Sequence, residues 1–437
     1  MSSSSLDSAA PGFKVIVVGG GPSGLVAAHA LYLAGIDFVI LERRQQILED
    51  SGASVVLTPG SVKLIHQLGL KDRLNEIGTE FARHQSYMTD GRKFKDTTGL
   101  RVYKERLGVS MTIVHRADLC RILYEELPES IKAKVIPAKQ VQQLDQTDDA
   151  VTATCADGSQ YIGTIVIGAD GVYSQTRRQM REAALRADPS AEWDQEEPFE
   201  AAYKCLWCSF PRPEKAQVGL GTDTQDHDRS TMFLSGKDRG WIFLYEKLDS
   251  PTRQRNRYTT EDIEAYASRF YDMPVTESIK VRDVFTAKTA GMSNLGEGVI
   301  KNWSMGRFVL VGDAIHKFTP NAGLGLNSGI QDVVALCNQL KTLVARPSKG
   351  PYTVAQVSKA FEAYRSARLS YWQTELAQSV FVSRLHAWPS VWRKMSSRYI
   401  FNRKIVEYLA LRFVAVRKAR KSLLLDYSPV VEPIAAH

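Results

Sequence analysis

Disulfide chemistry, membrane spanning and a broadly charged surface are all poorly provided for in this sequence. Its five cysteines (120, 155, 205, 208 and 337) are scattered and odd in number, which suits a reducing compartment without disulfides. Cys205 and Cys208 form an isolated C-x-x-C with no second pair at zinc-ligand spacing and no redox-type βαβ pattern around it. On a strand those two thiols would face opposite ways, so no metal site is expected. No run of about 18 apolar residues occurs, and a membrane-spanning helix is not expected. The polar opening "MSSSSLDSAAPG" has no apolar h-region, so it does not read as a secretory signal, and residues 1–12 are expected to be disordered. Net charge is +8 over 437 residues, yet eleven Lys and Arg fall between Phe381 and Lys421 against Glu407 alone. The rest of the chain is close to neutral, which argues against a nucleic-acid binder with a broad basic face.

What the chain does have is glycine at the ends of strands. "KVIVV" (Lys14–Val18) is a continuous β-branched run, as in a strand covered on both faces. Gly19, Gly21 and Gly24 follow in G-x-G-x-x-G spacing, then the helical "LVAAHALYLAG" and a second strand, "DFVILE". The first glycine permits a tight turn, the second lets backbone amides approach a pyrophosphate, and the third lets helix and strand pack closely. A diphosphate then sits at a helix N-terminus, where free N–H groups and the dipole favour negative charge. Glu42 ends the second strand, where a carboxylate can accept hydrogen bonds from an adenosine ribose. An acid there favours FAD or NAD over NADP.

The pattern of strand followed by a Gly-Asp turn recurs twice. "YIGTIVIGADGVYSQTRRQM" carries Gly168 and Asp170, then Arg177 and Arg178; "GRFVLVGDAIHKFTP" carries Gly312 and Asp313. Each alone also reads as an ordinary turn. Because ligands of open α/β sheets lie beyond the carboxyl ends of parallel strands, three such ends imply one elongated ligand touching all of them.

These three stretches, in this order over about Phe13 to Arg368, resemble the FAD-dependent aromatic-hydroxylase-type monooxygenases. "GAS" near Gly52, "HR-x-DL" at His115 to Leu119 and the basic, apolar tail are similar to the fungal paxilline-type subgroup of secondary metabolism. The resemblance implies an α/β fold: a Rossmann-like FAD-binding domain, an interleaved β-sheet substrate domain and a helical C-terminal tail. The corresponding division is 13–80, 110–180 and 300–345 for FAD, 81–109 and 181–299 for substrate, and 346–437 for the helical region. It also implies FAD as cofactor and NADPH as transient reductant. Glu42 and Arg43 would serve the adenosine end, and Gly52, Ala53 and Val56 the flavin side. Arg116 would hold the phosphate or ribityl region, and Asp170 and Arg177 would serve FAD and transient NADPH docking. Asp313 would take a ribityl hydroxyl, and Pro320 would stiffen the turn beside the ring. Gly323, Gly325, Leu326 and Asn327 would lie along the isoalloxazine, with a helix starting at about Asn327 and pointing its positive end at the ring. Leu326 and Val56 depart from the small residues usual at those places.

In the implied chemistry, NADPH reduces FAD, oxygen adds to give a flavin C4a-hydroperoxide, and one oxygen atom passes to the substrate inside a dry cavity. A single nucleotide fingerprint leaves NADPH without a domain of its own. The middle of the chain, about Phe199 to Arg282, alternates as strands. There Tyr203, Lys204 and Tyr245 are candidates for orienting or protonating substrate, against the plainer reading of strand aromatics as core. His316 and His115 read more simply as packing or hydrogen-bonding residues.

The tail places Ile405, Tyr408, Leu409, Phe413 and Val416 near helical spacing among Lys and Arg. It reads either as a helix closing over the flavin domain or as an interfacial helix on an anionic membrane such as the endoplasmic-reticulum surface. The expectation is thus a cytoplasmic FAD monooxygenase that epoxidises or hydroxylates a bulky apolar metabolite, with O2 as co-substrate. A hydroxylase of small phenolic or salicylate-like aromatics is the nearest alternative. A halogenase would need a W-x-W-x-I-P signature, which "GWIFLYE" does not supply, and a non-catalytic carrier would have no use for the segment Asp313 to Asn327.

Overall fold

The computed structural model describes residues 12–50, 52–319, 323–346, 350–386 and 404–429. Its centre is a six-stranded sheet in the order Ser304–Met305, Phe308–Leu310, Ile165–Gly168, Lys14–Val18, Asp37–Leu41 and Val135–Ile136. All neighbours in it run parallel except the first, an antiparallel edge. Its three central strands are almost wholly buried, as continuous apolar runs require when both faces are covered. The helices Pro22–Ala34 and Leu324–Val344 pack on one another, and the sheet and these helices share one apolar core.

A second, eight-stranded sheet stands beside it. Residues 200–299 supply most of its strands, Arg83–Met88 and Lys93–Thr97 close one edge, and His316–Lys317 closes the other. That last short strand comes straight off the Gly312 turn, so one loop joins the two sheets. A hairpin sheet of Val141–Gln146, Val151–Cys155 and Gln160–Gly163 is separate from both.

Arg307 shows how the layers are tied. It is fully buried and has no acid within ion-pairing distance among the described residues. Instead Nε donates to Thr147 O at 3.2 Å, Nη1 to Thr164 O at 3.1 Å, and Nη2 to Tyr352 O at 2.6 Å and to Asp148 O. One guanidinium thereby joins the hairpin, the central sheet and the segment before the long helix Val354–His386. After that helix, the chain from Lys404 to Arg420 is helical, with a π-type turn over Ala410–Ala415. It then returns to the core, where Leu425 exchanges hydrogen bonds with the Gln67 side chain at 2.8 and 2.9 Å.

Arg307→Met removes four buried donors while leaving their carbonyls in place. A loss of about 3–5 kcal/mol in unfolding free energy is expected. Urea denaturation checks it, and an unchanged midpoint would show that these contacts carry no weight.

Candidate functional site

The three glycine-marked ends lie side by side. Lys14–Val18 is flanked by Ile165–Gly168, which is flanked in turn by Phe308–Leu310, with Val18 opposite Gly168 and Gly168 opposite Leu310. Gly19 has φ +108°, and a Cβ there would lie 2.6 Å from Ala169 O. Gly24 faces the tightest approach: a Cβ would stand 2.0 Å from Gly19 O. Gly21 differs, for a Cβ on it would meet no protein atom within 4 Å. Gly21 therefore borders open space before the first helix, whose N-terminus has no side-chain cap. That combination suits a diphosphate. The third turn touches the first through Ser23, whose Oγ is 2.9 Å from the Cβ positions of both Gly312 (φ +64°) and Gly329. Gly329, one turn into a long helix, was not anticipated from sequence, although its close packing is what a helical glycine signals.

Glu42 is buried and its carboxylate is already organised. Oε2 accepts from Gly20 N at 2.7 Å, and Oε1 accepts from Arg44 N at 2.9 Å and Arg44 Nε at 3.0 Å. Burial pushes its carboxyl up, but the Arg44 and Gly20 hydrogen bonds outweigh that and hold it below the ordinary range. Arg44, which the sequence reading did not single out, makes this pair, while Arg43, expected at the adenosine end, is exposed.

The next loop packs against the start of a helix. Arg116 opens the helix Arg116–Glu125, its N–H donates to Ala53 O at 3.1 Å, and its side chain is 3.6 Å from the Cβ position of Gly52. His115 is buried between Asp50 (2.8 Å from Nε2) and Trp241, whose Nε1–H donates to Nδ1 at 3.3 Å. Asn327 fastens this loop to the third turn: Nδ2 donates to Val56 O at 2.8 Å and Gly323 O at 2.6 Å, and Oδ1 accepts from Thr58 N at 2.9 Å. The helix begins at Leu324 rather than at about Asn327, because the Asn327 side chain closes its first turn onto Gly323. Gly325 lies with its Cβ position 3.9 Å from Asp313 Oδ1, and Leu326 is half-buried against the core. Pro320 lies outside the described residues.

Asp170 and Arg177 turn toward protein. Asp170 accepts from Ser174 Oγ at 2.5 Å and Thr176 N at 3.0 Å, fixing the start of the helix Gln175–Ala187. Arg177 donates to Val172 O at 2.8 Å and Ala314 O at 3.0 Å and lies over the Phe199 ring. Their geometry ties the second turn to the third; Arg177 is buried in that junction, while Asp170 stays half-exposed. Behind that junction is a buried charge cluster absent from the sequence reading. Asp332 Oδ2 accepts from Gly312 N at 3.0 Å and pairs with His316 Nε2 at 2.6 Å, and Oδ1 accepts from Arg368 Nε at 2.7 Å. Arg368 Nη2 continues to Ser328 Oγ at 2.6 Å, which donates to Glu375 at 2.7 Å. Burial raises the Asp332 carboxyl, but His316 and Arg368 outweigh it and hold it low.

The candidate catalytic residues divide. Tyr203 and Tyr245 lie on the face of the large sheet that packs with Ala53 and Val56. Lys204 does not: its strand neighbours Leu206 and Cys208 belong to the opposite face, and its Nζ is 3.1 Å from Glu246 and 5.0 Å over the Tyr266 ring. Adjacent strand residues cannot both line one pocket, so Lys204 is removed from the catalytic set. It borders instead a polar cleft of about 510 Å³ with Glu246, Arg229 and Arg269 on the far face. Burial raises the Tyr245 phenol well above its ordinary range, so it keeps its proton and cannot act as a base at neutral pH. Cys205 and Cys208 fall on opposite faces, and no metal-holding group of His, Cys, Asp and Glu exists among the described residues.

Asp332→Asn leaves His316 and Arg368 buried without their shared anion. A loss of about 3–5 kcal/mol is expected, read by urea titration at pH 7. Since the folded carboxyl titrates below its unfolded value, the difference from wild type is full at neutral pH and shrinks as pH falls through the carboxylate range. A constant difference down to the acid limit would refute the ion-pair role.

Residues 12–349 match the family model described as an FAD binding domain. The chain is 33% identical over 399 residues to the FAD-dependent monooxygenase spyC of Aspergillus fumigatus, covering 90% of this chain and 83% of that protein. It is 30% identical over 429 residues to the FAD-dependent monooxygenase dpfgE of Gibberella zeae, covering 96% and 90%. Among solved structures it superposes on Klebsiella pneumoniae HpxO complexed with FAD and uric acid with a TM-score of 0.73 at 19% identity, over 95% of this chain and 97% of that one. The open space at Gly21, the adjacent strand ends and the family match agree, and the chain belongs to the FAD-dependent monooxygenases.

Proposed function

We propose that this enzyme inserts one oxygen atom from O2 into a bulky apolar secondary metabolite, by epoxidation or hydroxylation, with NADPH as the electron donor. The observation that supports it best is the character of the sheet face beside the flavin loop. Tyr203, Phe243, Tyr245 and Leu295 are buried there with Trp207 and Met232 alongside, while Lys204, Glu246 and Arg269 occupy the other face. A small carboxylated aromatic would call for an unpaired cation on the near face, and Arg239, on that face in line with Trp241, is already paired with Asp50 at 3.4 Å. An apolar polycycle would need none, and its burial excludes water from the reacting centre. FAD, when bound, supplies oxygen activation and accepts hydride from the nicotinamide. The protein's part is to hold it: the helix start at Pro22 takes the diphosphate, Glu42 and Arg44 the adenosine end, Arg116 the phosphate or ribityl region, and Asp313 a ribityl hydroxyl. Asp313 suits that last role because its carboxylate makes no hydrogen bond among the described residues.

Asp313→Ala is expected to weaken FAD binding by roughly tenfold or more, the size of one charged hydrogen bond. Fluorescence titration of apoprotein with FAD measures this, and unaltered affinity with normal turnover would contradict the assignment. Wild-type protein given NADPH, O2 and a panel of prenylated aromatics should yield a product heavier by one oxygen atom. Product only from small phenols or salicylates would favour the hydroxylase alternative.

We also propose that the C-terminal helical segment rests on an anionic membrane, as at the cytoplasmic face of the endoplasmic reticulum. Leu409, Phe413 and Val414 are 46%, 60% and 67% exposed, beside Arg412, Arg417 and Lys418. Leu411, Ala415 and Val416 pack inward, so the expected stripe is corrected at Val416, which is buried. The side chains of Ile405 and Tyr408 lie outside those described, as do residues 387–403. No described helix is long and apolar enough to cross a bilayer. Flotation with phosphatidylserine-containing vesicles should carry wild type upward and leave the Phe413→Ser, Val414→Ser double variant behind. Equal partitioning would remove the proposal.

A further inference from the structure

The segment from Leu423 to Ser428 forms neither helix nor strand, yet side chains of the flavin-side domain hold its backbone along most of its length. Gln331 accepts from Leu423 N at 2.6 Å and donates to Leu423 O at 3.2 Å. Asn338 donates to Leu424 O at 2.9 Å and accepts from Asp426 N at 3.2 Å. Gln67 accepts from Leu425 N at 2.9 Å and donates to Leu425 O and Ser428 O, both at 2.8 Å. All three amides are buried, and each meets both a peptide N–H and a peptide C=O, as a paired strand would. The Tyr427 hydroxyl adds a bond to Ala30 O at 2.9 Å, and Leu425 enters the main apolar core.

These contacts join two helices that lie directly behind the loops assigned to the flavin. Gln331 and Asn338, seven residues apart, share a face of the helix Leu324–Val344, whose first turn contains Asn327. Gln331 is also the neighbour of Asp332, which holds the Gly312 amide. Gln67 ends the helix Pro59–Gln67, which begins just after Thr58. Thr58 meets Asn327 Oδ1 through its N–H at 2.9 Å and its hydroxyl at 3.1 Å. Near that same helix start the terminal segment approaches without a gap. A Cβ on Gly60 would stand 2.1 Å from Ser422 Oγ and 2.4 Å from Ser422 Cβ. Asn327 thus joins the two helices on the flavin side, and Ser422 to Ser428 joins them again on the outer side. Two separated attachments remove the pivot that one would leave.

We propose that Leu423 to Ser428 is a positioning strap, which fixes these two helices at the separation the FAD site requires, so that seating of the strap and binding of FAD favour one another. This rests on the FAD reading of the site. The strap supplies no atom to the cofactor; it acts through Gly60 and Gln331 on the loops that do. Coupling between two sites is reciprocal, so FAD must hold the strap by the same factor as the strap holds FAD.

The test uses full-length wild type and four full-length variants: Gly60→Ala, Ser422→Gly, the two combined, and Asn338→Leu. Fluorescence quenching of apoprotein measures FAD affinity, and hydrogen exchange followed by mass spectrometry reads the backbone of residues 421–428 with and without FAD. Gly60→Ala and Asn338→Leu should each weaken FAD by roughly tenfold, a usual size for coupled sites. Ser422→Gly alone should stay near wild type. The combined variant should recover the affinity, since the next strap atom, Ser422 Cα, is 3.9 Å from the Gly60 Cβ position. FAD should slow exchange across the strap in wild type. Wild-type affinity in either Gly60→Ala or Asn338→Leu would overturn the proposal, whatever the urea midpoint, and would leave the segment a stabilising element alone. Failure of the combined variant to recover, or exchange indifferent to FAD, would overturn it too. Wild-type protein that takes up no FAD defeats the cofactor assignment together with this inference, whereas flavin-binding variants with wild-type affinity defeat the strap alone.

Discussion

Parallel pairing of three strands whose chain positions lie far apart is the constraint on which the molecule's chemistry depends. Strand ends at Val18, Gly168 and Leu310 are brought into one row by direct hydrogen-bonded neighbours, so the turns that follow share an edge. Glycine is required there because backbone meets backbone. The approach of the Gly24 Cβ position to Gly19 O, and of Gly312 and Gly329 to Ser23, leaves no room for side chains. Close approach between protein segments and open space at Gly21 are two consequences of the same arrangement. The strands fix the row, and the row leaves a lane along which a dinucleotide can lie.

A row of turns is not rigid by virtue of its glycines, which are the residues with the most backbone freedom to lose. Rigidity comes from behind. The Asp332 carboxylate holds the Gly312 amide and His316 with one oxygen and Arg368 with the other, and Arg177 holds Ala314 from the neighbouring turn. Buried ions of this kind are weak evidence for stability when compared with an apolar replacement. Their value here is directional. A charged network in which both oxygens of the central carboxylate are engaged favours one geometry for the turn, whereas apolar packing would tolerate several.

The glycine turns, the strands before them and the helix that follows the third turn were legible in the sequence because each is carried by residues adjacent in the chain. Asp332 and Arg368 were not, since their partners are set by how two helices cross over a sheet and leave no local period. Arg44 was not singled out either, since its pairing with Glu42 turns on the course of the backbone just past the strand end, which single-residue patterning does not fix. Lys204 is a different case. Its neighbour Tyr203 was assigned to the pocket as well, and the two-residue period of a strand forbids both; the irregularity between Ala201 and Tyr203 then decides which face each residue takes. The sequence reading treated the aromatic strand as a set of polar opportunities, and the pairing register sorted it into one apolar face and one ionic face.

That sorting bears directly on catalysis. A reduced flavin that must meet oxygen and then its substrate gains from a dry wall on one side and from fixed positive charge on the other, because each electrostatic interaction strengthens as water leaves. Placing the Lys204–Glu246–Arg269 ions across the sheet keeps mobile charge and its water away from the Tyr203 and Tyr245 face. Positive charge is instead delivered from the loop, by a helix start next to the turn that Asp332 immobilises. The short strand His316–Lys317 is where loop and sheet meet: His316 locks the loop to the core through Asp332, and pairing with Val299 and Gly298 makes the same two residues an edge of the large sheet.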